Sequence, residues 1–201
     1  MMPLIAIVGR PNVGKSTLFN RLIGEKKAIV LDTPGVTRDR NYGEASWGGR
    51  TFSVVDTGGF EPQASEGIVA AMRRQALLAV EEAELVLFVV DARSGLMQAD
   101  REVADILRRG RVNVLYVVNK VDAKGQDELA LEFYELGAET LYTVSAEHGR
   151  GVGRLLDAVA KQLPPIEIDE DDEFITRVAL VGRPNVGKST LANRLLGDER
   201  M

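Results

Sequence analysis

A chain of 201 residues, 45% of them hydrophobic, is long enough for one α/β domain of ordinary size with a remainder, and can bury a core without crosslinks. There is no cysteine, which excludes disulfides and thiolate metal sites. No run approaches the roughly 20 apolar residues of a membrane span, and no cleavage pattern precedes the first strand-like segment, so a soluble cytoplasmic protein is expected, with neither membrane nor DNA as partner.

The net charge of −5 is not spread evenly. Glu167, Asp169, Glu170, Asp171, Asp172 and Glu173 carry −6 between them, which leaves the rest of the chain at +1. Pro164-Pro165 precedes this run, so residues 164–174 read as an extended acidic linker between two nearly neutral units.

Along the chain, short β-rich apolar runs alternate with helical periodicity. Strands are expected at Leu4–Val8, Asn41–Trp47, Thr51–Val55, Leu85–Val90, Val112–Val118 and Thr140–Val144. Helices are expected at Lys15–Ile23, Ser65–Glu82, Ala99–Arg109, Asp127–Leu136 and Val152–Leu163. Asn41–Trp47 alternates and stops before Gly48-Gly49, which predicts a hairpin into the next strand. The fold class is therefore α/β, with a mostly parallel sheet, one antiparallel edge strand and helices on both faces.

The motifs occur in the same order. Gly9-Arg10-Pro11-Asn12-Val13-Gly14-Lys15-Ser16, followed by Thr17, fits G-x-x-x-x-G-K-[ST] between a strand and a helix, the context this phosphate loop requires, which makes the expected fold a P-loop NTPase. Its backbone N–H groups and the helix N-terminus supply positive potential for phosphates. Lys15 is expected to reach the β- and γ-phosphates, and the Ser16 hydroxyl to ligate Mg²⁺.

Thr37, in the breaker-rich loop Asp32–Asp39, is favoured over Thr33 for Mg²⁺ and γ-phosphate, because Pro34 stiffens the chain right after Thr33. Asp56, ending a strand before Thr57-Gly58-Gly59, is placed to hold Mg²⁺ through water, and the Gly59 N–H to meet the γ-phosphate.

Base choice falls to Asn119-Lys120-Val121-Asp122. A carboxylate at Asp122 can accept from guanine N1–H and the 2-amino group together, and adenine lacks that donor pair. Asn119 would either meet the base's acceptors or tie its own loop to the phosphate loop, while the Lys120 stem covers a base face. Ser145-Ala146 completes the pocket, with the Ala146 N–H directed at guanine O6. The exposed-loop His148 and the hairpin Trp47 are given no chemistry, and Arg10 is read as pointing away from the γ-phosphate.

The chain also repeats itself. Val8–Leu18 and Val181–Leu191 both read VGRPNVGKSTL, 173 residues apart, and Asn20-Arg21-Leu22 returns as Asn193-Arg194-Leu195. The expected organisation is a complete domain over 1–163, the linker 164–174, and the opening of a second unit over 175–201. That second phosphate loop offers Gly182, Asn185, Gly187, Lys188, Ser189 and Thr190, with no downstream partner for base or metal inside this sequence.

VGRPNVGKSTLFNRL, the PGVTRDR loop, DTGGF, NKVD, SA and the repeated VGRPNVGKST after an acidic linker together resemble the Der (EngA) family of tandem GTPases, within the translation-factor-like class. The resemblance implies GTP hydrolysis as a switch in assembly of the large ribosomal subunit, with Mg²⁺ as cofactor. It also bears on catalysis. Phe60 stands where a water-orienting glutamine would be, which implies slow intrinsic turnover, and Asn12 matches a phosphate-loop asparagine that helps hold K⁺ in relatives. Lys15, Thr37, Gly59 and Asn12 are the expected catalytic set. The competing reading is a binding module in which GTP occupancy alone matters.

Overall fold

In the computed structural model, residues 2–24, 41–59, 67–123 and 125–163 are described below. The chain divides into two units, Met1–Pro165 and Ile166–Met201; everything that follows concerns the first. The acidic linker, the second phosphate loop and the loop carrying Thr33 and Thr37 lie outside the described residues, as do Phe60 and Gln63.

Six strands form one sheet: β1 (Leu4–Val8), β2 (Asn41–Trp47), β3 (Arg50–Asp56), β4 (Leu85–Asp91), β5 (Asn113–Asn119) and β6 (Leu141–Thr143), in the order β2-β3-β1-β4-β5-β6. All neighbours are parallel except β2 and β3, which pair antiparallel from Asn41 opposite Asp56 to Trp47 opposite Arg50. Four helices complete the layers: α1 (Lys15–Ile23), α2 (Ile68–Glu82), α3 (Gln98–Gly110) and α4 (Val152–Gln162).

The strands are continuously apolar because both faces are covered. Along β1 the two-residue period sends Ile5 and Ile7 into one core and Ala6 and Val8 into the other. β4 repeats this: Leu85, Leu87 and Val89 share the first core with α1 and α4, while Val86, Phe88 and Val90 share the second with α2 and α3. All seven residues of β4 are buried, and each large side chain among them contributes about 1.5–3 kcal/mol on transfer from water. The result is a rigid central strand whose carboxyl end cannot drift.

Three elements differ from the sequence expectation. Within the predicted helix Ser65–Glu82, regular α geometry begins at Ile68, after Gly67 in extended conformation; residues 65 and 66 are outside the described set. Thr140–Val144 shortens to three paired residues, Leu141–Thr143. Asp127–Leu136 is a 3-10 helix, not an α-helix. Its buried residues are Ala130, Phe133 and Leu136, spaced by three. A helix of three residues per turn keeps such a row on one straight line, whereas an α-helix would rotate it off the core.

Candidate functional site

The parallel strands deliver three polar loops to one edge of the sheet. After β1, Gly9 approaches β4 so closely that an added Cβ would lie 2.2 Å from the Val89 carbonyl oxygen. Asn12 (φ 64°) and Gly14 (φ 94°) then turn the chain through left-handed conformations into α1. Leu18, on the inner face of α1, is fully buried and anchors it. Lys15 is only 6% exposed, and its Nζ donates to the carbonyls of Gly9 and Arg10, both at 2.8 Å. Burial lowers its pKa from 10.5 to about 8, against the opposing attraction of Asp56. Ser16 and Thr17 are exposed on the first turn, beside the loop.

Asn119 ends β5 and is buried. Its Nδ2 donates to the Val13 carbonyl at 2.8 Å and its Oδ1 accepts from the Ala146 N–H at 3.0 Å. One side chain thus joins the phosphate loop to the loop after β6. Of the two roles open to Asn119 on sequence, the structure shows the tie between loops. The Ala146 N–H, directed at guanine O6 in the sequence reading, donates here to Asn119, and both residues are buried.

Lys120, at φ 67°, bends back so that its Nζ meets the Asn12 carbonyl (2.6 Å) and Asp91 Oδ2 (2.7 Å). Asp122 points one oxygen at the Ser145 hydroxyl, which donates at 2.7 Å, and the other at the Arg93 guanidinium. The Ser145 hydrogen bond, then the one from Arg93, holds the Asp122 carboxyl below its ordinary pKa. Thr17, Arg93, Asn119, Lys120, Asp122, Ser145, Ala146 and Glu147 together enclose a cavity of roughly 460 Å³, within the usual range for a small-molecule site.

Asp56 ends β3 and is 1% exposed. Its Oδ1 accepts from the Gly58 N–H at 2.8 Å, while Oδ2 is buried with no hydrogen-bond partner among the described residues. A buried carboxylate oxygen without a donor is costly unless a cation or its water faces it. Asp56 and the exposed Ser16 hydroxyl therefore suit a hard, oxygen-preferring ion such as Mg²⁺.

With this geometry in hand, the comparisons with known proteins are decisive. The family model described as 50S ribosome-binding GTPase matches residues 4–120 and again 177–201. The chain belongs to this family. GTPase Der of Geobacter sp. (strain M21) is 59% identical over all 201 residues, and GTPase Der of Clostridium perfringens (strain SM101 / Type A) 54% identical over 200. The chain spans 46% and 45% of the length of those two relatives.

Among solved structures, an Era variant from Aquifex aeolicus bound to GDP.AlF4⁻ superposes with a TM-score of 0.67 at 31% identity, covering 89% of this chain and 62% of that one. Era in complex with MgGDPNP and nucleotides 1506-1542 of 16S ribosomal RNA gives 0.64 at 29%, covering 90% and 63%. The G domain of T. maritima FeoB gives 0.60 at 26%, covering 81% and 99%.

Sequence reasoning missed three residues of the site. Asp91 stands opposite Asn119 in the β4–β5 register and receives Lys120. Arg150 donates to the carbonyls of Val121 (3.1 Å) and Ala123 (2.7 Å), on either side of Asp122, and pairs with Asp127 at 2.9 Å. Arg93 lies on Asp122 itself. Asp91 and Arg93, polar residues at and just past the end of the apolar β4, were the available signal. Arg10, as read from the sequence, turns away: Nε reaches Asp100 and Nη2 reaches Ser94, both at 2.8 Å.

Proposed function

We propose that the chain binds guanine nucleotide across the cavity at the sheet's carboxyl edge and hydrolyses GTP to GDP and phosphate as a switch in assembly of the large ribosomal subunit. The observation that supports this is the Asn119 bridge, which ties the phosphate loop at Val13 to Ala146, a residue that lines one cavity together with Asp122 and Thr17. Membership of the 50S ribosome-binding GTPase family supports the ribosomal role.

In this reading Asp122 accepts from guanine N1–H and the 2-amino group, and the Lys120 stem covers the base. Residues Gly9 to Thr17 wrap the phosphates with backbone N–H groups. Lys15 leaves its two carbonyl partners for the β- and γ-oxygens, where an anion restores the charge that burial disfavours. Ser16, Asp56 and, by resemblance, Thr37 hold Mg²⁺, which neutralises charge on the β- and γ-phosphates. Asn12 helps hold K⁺, which offsets charge on the leaving group. Gly59 donates its N–H to the γ-phosphate. With Phe60 in place of a glutamine, turnover is slow. Residues 175–201 open a second unit of the same kind.

Phosphate release from GTP and ATP, each in matched KCl and NaCl with Mg²⁺, tests this. GTP-only turnover that rises in KCl is expected. Comparable use of ATP overturns the guanine pocket, and equal rates in both salts overturn the K⁺ role alone.

A further inference from the structure

Arg93 has a side chain 63% exposed to solvent, yet its guanidinium is turned inward onto Asp122 Oδ2, at the rim of the cavity. Its backbone is held by neighbours, and its side chain is exposed apart from the contact with Asp122. The Arg93 N–H is held by Asp91 Oδ1 at 2.9 Å, Asp91 is held by Lys120, and the next residue, Ser94, accepts from Arg10. The Asp122 carboxylate is fixed too: Ser145 donates to its other oxygen, and Arg150 grips the carbonyls on either side.

Two anchored segments therefore meet through one long, exposed side chain. The chemistry of that side chain matters. Guanine's N1–H and 2-amino group form an N–C–N donor fork, the same fork that an arginine guanidinium presents. A carboxylate oxygen that carries Arg93 in this plane is not free for the base.

We propose that Arg93 is an intramolecular stand-in for guanine, competing for Asp122 and swinging off the carboxylate when the base seats. This rests on the guanine-pocket reading above and adds a residue that sets affinity through competition, not contact. Glu147, which lines the same cavity and attracts Arg93, provides a place for the displaced guanidinium. Arg93 meets Asp91 and Asp122, neither of them in the phosphate loop, so the competition acts on guanine recognition. Exposed ion pairs are weak, so release of Asp122 strengthens binding only by about two- to fivefold.

The test is fluorescent-GDP binding to the nucleotide-stripped 201-residue chain, comparing the parent with Arg93→Ala and Arg93→Gln. Both variants are expected to bind about two- to fivefold tighter, chiefly through faster association. In an Asp122→Asn background, read with the xanthine analogue, Arg93→Ala is expected to change nothing. Weaker or unchanged GDP binding in both variants overturns the proposal, as does a gain that persists without the Asp122 carboxylate. Failure of the pocket reading looks different: the parent would not prefer GDP over ADP, and Asp122→Asn would gain no xanthine nucleotide. That outcome removes both claims together.

Discussion

Asn119→Ala separates a structural tie from a base contact. The side chain is 3% exposed and satisfies two buried groups, the Val13 carbonyl at 2.8 Å and the Ala146 N–H at 3.0 Å. Val13 and Ala146 are each 1% exposed, so neither stranded group gains direct access to bulk water. Leaving a buried donor or acceptor unmade costs about 1–3 kcal/mol, which puts the loss at about 2–6 kcal/mol, nearer 3 if one water enters the gap.

With a urea m-value of about 2 kcal/mol per molar, the midpoint falls by about 1–3 M. Trp47 is the sole tryptophan, and its indole N–H donates to Asp157 Oδ1 at 2.8 Å. Its fluorescence therefore reports the first unit and no other. The assay is urea unfolding of nucleotide-stripped protein followed at Trp47. A midpoint shift below about 0.2 M refutes the bridge, because about 0.4 kcal/mol is less than a single net hydrogen bond.

The remaining expectations concern charge, metal and backbone. Lys15 has a folded pKa of about 8, below its ordinary 10.5, so the charged amine that a phosphate needs is lost from the free protein as pH rises through 8. Bound phosphate raises that pKa, so nucleotide affinity is level below pH 8 and falls above it by up to about tenfold per unit, with proton uptake on binding. Calorimetry at pH 7 and pH 8.8 in buffers of different ionisation enthalpy measures both, and identical affinities at the two values count against it. For stability the sign is opposite: the free fold gains between about pH 8 and 10.5, where the unfolded chain binds the extra proton.

Asp56→Asn replaces the unpartnered Oδ2 with an amide. It is expected to weaken the Mg²⁺ dependence of nucleotide affinity by about 10–100-fold while leaving metal-free binding close to the parent. Titration of Mg²⁺ at fixed nucleotide decides it. Gly9→Ala drives a Cβ to 2.2 Å from the Val89 carbonyl, which is expected to cost about 1–3 kcal/mol in urea unfolding; a neutral result would mean that β4 yields there.

Much of the fold was legible locally. β1, β2 and α1 begin and end where the apolar periodicity does, because each is short, strongly patterned and bounded by glycine or a polar turn. The ten-residue segment after Gln126 was read with the wrong pitch. Its composition suits an α-helix, and only the straight row of Ala130, Phe133 and Leu136 against the core selects three residues per turn.

The site divides along the same line. Lys15, Asp56, Asn119 and Asp122 were visible in the sequence because phosphate, metal and base chemistry demand those groups at fixed places after strands, and the backbone there is local. What Asn119 does, where Arg10 turns, that Arg93 lines the pocket and that Arg150 braces the Asp122 loop depended on contacts across 106, 90, 29 and 27 residues respectively. Sequence spacing carries no information about such pairs. The sheet order brings β4 beside β5 and both beside the phosphate loop, so that four separate segments share one edge. The residue types and their order pointed to a class of chemistry; the packing of two cores against a buried central strand decided which side chain meets which.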